Sequence, residues 1–139
     1  MSKIEERYND SREAPLYKAT AQLLYKVDNL LNYFSRDRKH TLGQHLLNLV
    51  LGMLDCVSLA YDFPEQRADQ LRLYLTRYNN LATILEMCEK KGYLCHRDKN
   101  LYIDMIHPLG VAHRQAKGWL KATTGAVGVG TESAESTFR

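Results

Sequence analysis

The stretch Thr41–Tyr61, TLGQHLLNLVLGMLDCVSLAY, decides the fold. It opens on Thr41-Leu42-Gly43-Gln44, a capping-box pattern with a hydroxyl at the N-cap and an amide three residues on. Leu42, Leu46, Leu49, Met53, Val57 and Ala60 then recur at spacings of four and three, one face of a helix. A second row, Leu47, Val50/Leu51, Leu54, Ser58 and Tyr61, climbs the neighbouring face. A surface helix needs one apolar stripe, and this one carries nearly two. It is expected to be covered on two sides, within its own domain or against another copy of the chain.

Three further stripes flank it. Pro15 suits the first turn of a helix, and Leu16, Thr20, Leu23, Val27, Leu30/Leu31 and Phe34 follow at helical spacing. Ser35–His40 reads as a charged link, short enough to make the first two helices antiparallel neighbours. Asp62-Phe63-Pro64-Glu65 reads as the next link, with Asp62 and Glu65 as a helix-start signature. The third helix runs to about Lys91 on Leu71, Leu75, Tyr78, Ala82, Leu85 and Cys88, and Gly92 stops it. After a link at Tyr93–Asp98, the fourth carries Leu101, Met105, Leu109, Ala112, Ala116 and Trp119. Pro108 is expected to kink or split it near Asp104. No period-2 alternation persists, so no sheet is expected.

These elements predict an all-α fold: an antiparallel up-down-up-down four-helix bundle over residues 15–122. Residues 1–14 read as a flexible lead-in, and the Gly/Thr/Ser-rich residues 123–139 as a flexible tail. At 139 residues the chain is one domain, large enough to bury a core without staples. Cys56, Cys88 and Cys95 form no C-x-x-C pair, which argues for a reducing compartment. The most apolar run, Leu46–Leu54, is broken by Asn48 and falls well short of the roughly 20 residues a membrane span needs. The expected localisation is cytoplasmic.

Catalytic chemistry finds little footing. None of the five histidines lies in H-E-x-x-H or E-x-x-H, and Cys88, Cys95 and His96 lack the close pairing of a structural zinc site. There is no G-x-S-x-G, no P-loop and no dinucleotide fingerprint. The expectation is a protein that is not an enzyme and needs no metal or cofactor.

The basic residues carry more information. The formal net charge is +3, but residues 16–122 hold fifteen Lys/Arg against ten Asp/Glu. Arg36, Arg38 and Lys39 crowd one link, while Arg67, Arg72 and Arg77 stand five residues apart and point three ways around helix three. Lys90 lies on the same side as Arg72, and Arg114, Lys117 and Lys121 repeat at three and four as a one-sided strip. For any one of these, a solvated face is the ordinary explanation. Together they favour a surface for phosphates that is weakly selective of sequence.

The order Arg36-x-x-Lys39-x-x-Leu42-Gly43, then Leu71-Arg72-Leu73-Tyr74-Leu75, then Gly118-Trp119-Leu120 resembles the accessory variability determinant (Avd) proteins of diversity-generating retroelements. The resemblance covers about Leu16 to Ala122, and departs from the family at Ser35, where members often carry proline. A sister group of similar bundles is encoded within ribosomal RNA genes. The resemblance implies a ring-like homopentamer that binds nucleic acid and the element's reverse transcriptase, supports mutagenic reverse transcription and has no activity of its own. It points to Arg72 and Arg77 as contacts with RNA or polymerase. The competing expectation is a helical protein–protein adaptor without a nucleic-acid role.

Overall fold

The computed structural model describes residues 12–97 and 99–125. The expectations for residues 1–11 and 126–139 therefore lie outside the described residues. Four long helices make up the fold: α1 (Pro15–Leu31), α2 (Arg36–Asp62), α3 (Arg67–Lys90) and α4 (Ile103–Gly125). Each packs on its neighbour in sequence, and α1 packs on α4 to close the cycle, the contact order of a four-helix bundle.

The core follows the apolar rows. From α1 come Leu16, Leu23, Val27, Leu30 and Leu31; from α2, Leu46, Val50, Met53, Val57 and Ala60. From α4 come Met105, Leu109, Ala112 and Ala116, whose small alanines let the neighbouring helices approach closely. On α3 the buried set is Leu71, Tyr74, Leu81, Leu85 and Cys88, with Leu75, Tyr78 and Ala82 only partly covered. The expected α3 stripe was thus rotated toward one edge. Leu71, Tyr74, Tyr78, Leu81, Leu85 and Cys88 alternate three and four residues apart, a heptad seam that outranks the row of i+4 neighbours. Tyr74 is fully buried because its hydroxyl has a partner: it donates to Thr20 Oγ1 at 2.7 Å, which in turn donates to the Leu16 carbonyl at 2.7 Å. Burial pushes its phenol pKa well up.

The start of α2 differs from the capping-box expectation. Ser35 is the N-cap, its Oγ accepting the Arg38 backbone N–H at 3.4 Å. The residues read as a link are helical, and Thr41 lies inside the helix, donating to the Asp37 carbonyl at 2.9 Å. A π-turn at Lys39–Gly43 joins the first turn to the rest, absorbing one extra residue so that two apolar phases fit one helix. The real link is Asn32–Ser35, in which buried Phe34 closes the end of the core.

Asp62 is the last residue of α2 rather than a cap, and Phe63 breaks the helix before a single 3₁₀ turn at Pro64–Gln66. α3 ends as expected. Gly92, at φ 78°, lets its own N–H reach the Glu89 carbonyl at 3.0 Å and that of Tyr93 reach Cys88 at 2.9 Å. The absence of sheet needs one correction: Cys95–His96 and Lys99–Asn100 pair as a minimal antiparallel hairpin, with residue 97 at positive φ. It forms because buried Leu94 and Leu101 anchor both ends, joined by a backbone bond of 2.8 Å. Pro108 does not split α4, which runs unbroken through it to Gly125, beyond the expected end at Ala122. Pro108 sits in the second turn and is buried; it removes one intrahelical bond, the one to the Asp104 carbonyl, without ending the helix.

Helix α2 is the most apolar element, yet a single chain covers only one of its faces. Leu47, Leu49 and Leu54 are half-buried, and Leu51 and Leu59 are exposed. Among the described residues it is the helix long and apolar enough to cross a membrane by length and composition.

Candidate nucleic-acid interface

The four helices sort the cations into two ends. Arg36, Arg38 and Lys39 at the start of α2 meet Lys90 at the end of α3, because Arg38 lays its guanidinium 3.7 Å over the ring of Tyr93. At the opposite end, the start of α3 meets the last turns of α4. There Arg67 donates to the Ala60 and Tyr61 carbonyls at 2.8 and 3.3 Å, and its guanidinium lies 5.3 Å from the Trp119 ring. Arg72 and Lys90, expected on one side, are five turns apart and so separated by about 27 Å along α3. They belong to different patches.

Direction then separates the arginines of α3. Arg72 is exposed, with a 3.3 Å ion pair to Asp69 that leaves most of it in water. Arg67 serves as a C-terminal cap of α2, satisfying carbonyls that the helix end leaves open. Arg77 is turned inward and partly buried. Its NH1 donates to the Gly52 carbonyl at 3.2 Å and to Cys56 Sγ at 2.9 Å. Gly52 makes room for it, since a Cβ there would come within 3.0 Å of Arg77 Nε. Burial pushes the Cys56 thiol pKa up, and Arg77 opposes the shift. Arg77 and Arg67 thus have structural employment, and only Arg72 of the three offers itself to solvent.

The strip on α4 is the clearest basic face. Arg114, Lys117 and Lys121 are all exposed, and no Asp or Glu occurs between Met105 and Gly125. Among the described residues none of the three, nor Arg36, Lys39 or Lys90, is in an ion pair. Arg114 folds back over Gly110, and His113 stacks on Tyr78 of α3 with ring centroids 4.8 Å apart. Burial first and Lys117 second hold the His113 pKa below the usual imidazole value.

Beside this strip lies a feature that periodicity did not announce. A groove of about 620 Å³ is bounded by Glu13, Ala14, Pro15 and Leu16, by Tyr61, and by Gln115, Gly118 and Trp119. Tyr61 meets Trp119 edge-on at 6.5 Å, and Gly118 has open space where a side chain would stand. Its walls come from three helices, so no one-helix pattern could display it. A smaller cleft of about 240 Å³ between α1 and α4 holds Lys26, Lys99 and Asp104. Among the described residues no three His, Cys, Asp or Glu side chains converge as metal ligands: Cys88 is buried, whereas Cys95 and His96 are exposed.

No protein-family model, no curated protein and no solved structure matches the chain.

Proposed function

We propose that this bundle is a non-catalytic accessory protein of a diversity-generating retroelement, which assembles into a ring and holds template RNA or DNA beside the element's reverse transcriptase. The observation that carries the reading is the exposed strip Arg114, Lys117 and Lys121, on a helix face free of acids from Met105 to Gly125. Forked guanidinium and ammonium donors at that spacing suit phosphate oxygens, and nothing beside them is built to read base edges. Arg72 at the same end, and Arg36, Lys39 and Lys90 at the other, extend the basic surface. Exposed Leu51 and Leu59 on α2 and Leu73 on α3 supply apolar contact for assembly. A ring multiplies a weak phosphate patch, because linked copies raise effective concentration without new contacts.

Fluorescence anisotropy of a labelled RNA titrated at several salt concentrations tests the reading. Affinity should fall steeply with salt, since each neutralised phosphate releases condensed counterions. Replacing Arg114, Lys117 and Lys121 together by Ala should flatten the log–log slope by roughly 2 to 3 for three lost contacts. Co-purification with the reverse transcriptase of the same element tests the partner. Binding that ignores salt, or an unaffected triple variant, would leave the adaptor reading, which the same exposed leucines also favour.

A further inference from the structure

We propose that the smaller cleft, between the end of α1, the 95–100 hairpin and the start of α4, binds one nucleoside monophosphate, free or at an unpaired position of a strand. Its floor is apolar: Leu30, Leu101 and Met105 are each more than nine-tenths buried. Its rim is polar. Lys26, Asn29 and Tyr33 stand three and four residues apart, one row along α1 and the tight turn that follows it. That turn is fixed by the Tyr33 N–H, which donates to the Leu30 carbonyl at 3.0 Å, and it also brings Asn32 to the rim. His96 and Lys99 are direct cross-strand partners in the hairpin, so their side chains leave the same face of the ribbon. That face meets α1: the His96 ring lies 5.0 Å from the Tyr33 ring, and Lys99 lines the cleft beside it.

The rim has no internal partners. Among the described residues the side chains of Lys26, Asn29, Asn32, Lys99 and Asp104, and the Tyr33 hydroxyl, make no hydrogen bond or ion pair. One such side chain is ordinary at a surface; six around a single apolar floor set the chemistry of an occupant. Asp104 lines the same cleft as two lysines yet pairs with neither, so charges of both signs stay open to a ligand. An inorganic anion would leave the floor, the amides and Asp104 unused, and an apolar molecule would leave the lysines unused. A nucleotide uses them all. Its phosphate suits the ammonium groups of Lys26 and Lys99. The edge of its base offers donors and acceptors to the Asn29 and Asn32 amides, which can do both. The base stacks on the ring of Tyr33, which is 40% exposed and braced by His96. Adenine, cytosine and guanine carry an exocyclic amino group that can donate to Asp104, and uracil has none. The volume of about 240 Å³ lies below the ~300 Å³ at which sites for drug-sized molecules begin, so the occupant is a single small unit.

This site is separate from the basic strip, since Arg114 lies ten residues beyond Asp104, about 15 Å along α4. An NMR titration of the isotope-labelled full chain with cytidine monophosphate tests it. Backbone amides at the end of α1, in the hairpin and at the start of α4 should shift saturably, and uridine monophosphate should bind more weakly. Asp104→Ala should remove that preference. Lys26→Ala with Lys99→Ala, and Tyr33→Ala alone, should each weaken binding at least about fivefold, whereas Tyr33→Phe should keep it because the ring remains. All these side chains are exposed or half-buried, so circular dichroism should match the parent. Saturation by oligocytidine and not by the mononucleotide would assign the site to an unpaired residue of a strand. No saturable shift from either would overturn the proposal. The same shifts from inorganic phosphate or ribose phosphate would overturn it too, by reducing the site to two lysines that hold an adventitious ion only. So would binding lost on replacing Arg114, Lys117 and Lys121 and kept in the cleft variants. Cytidine monophosphate bound by a chain that shows no salt-dependent RNA binding would sink the retroelement reading and leave this one standing.

Discussion

Arg72 and Arg77 lie five residues apart on one helix, yet the fold gives them different work. Arg77 crosses to α2, where Gly52 leaves space and the Gly52 carbonyl and Cys56 sulfur accept its protons. Arg72 stays in water beside Asp69, in a pair of the kind that contributes little to stability. Arg77→Ala should therefore cost about 1.5–3 kcal/mol in denaturant unfolding, toward the lower end because the group is only partly covered. Arg72→Ala should change stability by less than about 0.5 kcal/mol. Loss of nucleic-acid affinity in the Arg77 variant alone has to be read against this structural cost. His113 sets a pH dependence. Its folded pKa is depressed, so the unfolded chain takes up the proton first, and stability falls as pH drops through the ordinary imidazole range near about 6.5. Melting temperature should decline between neutral pH and pH of about 5.5, and His113→Gln should make the decline shallower.

At the scale of the element, the beginning of α2 is the instructive case. Two hydroxyl residues, Ser35 and Thr41, both stand before apolar helical periods, and local pattern favours Thr41 with Gln44 behind it. Packing favours Ser35, because starting the helix earlier lets Arg38 reach Tyr93 and lets the π-turn re-phase the apolar rows. Ser35→Ala should cost about 1 kcal/mol, in line with loss of an N-cap. Thr41→Ala should be close to neutral, since its hydroxyl only returns to the Asp37 carbonyl from within the helix. Equal costs, or a larger one at Thr41, measured by urea unfolding, would restore the later start. The end of α3 needs no such contest: the positive φ of Gly92 lets the N–H groups of Gly92 and Tyr93 reach the Glu89 and Cys88 carbonyls.

For the whole molecule, the unbalanced element is again α2. Its buried residues suffice for one core, and the remaining leucines face outward. The proposed ring requires those residues between subunits, so sedimentation at micromolar concentration should give a mass several times 16.0 kDa. Leu51→Glu with Leu59→Glu should shift it toward the mass of one chain without loss of helix content, because neither side chain is in the core. A parent protein sedimenting as a clean monomer would remove the ring. The same scale explains the two basic ends: helices of this length hold cations far apart even when they share a face.

Periodicity alone was enough for four helices, the apolar phases of α1, α2 and α4, and the one-sided basic strip of α4, and residue type for the glycine stop of α3. These are legible because they depend on neighbours within a turn or two, where spacing and side-chain type act directly. The choice of Ser35 over Thr41, the inward turn of Arg67 and Arg77, the burial of Tyr74 and Leu81, and the 95–100 hairpin belong to the tertiary structure. Each depends on a partner outside its own helix or strand: Tyr93 for Arg38, Gly52 for Arg77, Thr20 for Tyr74, the α2 end for Arg67, and Leu94 and Leu101 for each other across the hairpin. The groove is the extreme instance, since residues near 15, 61 and 119 meet only when three helices pack. A periodic pattern tells which side of a helix seeks cover; only the packed neighbours decide which side chain finds a partner and where a surface stays open.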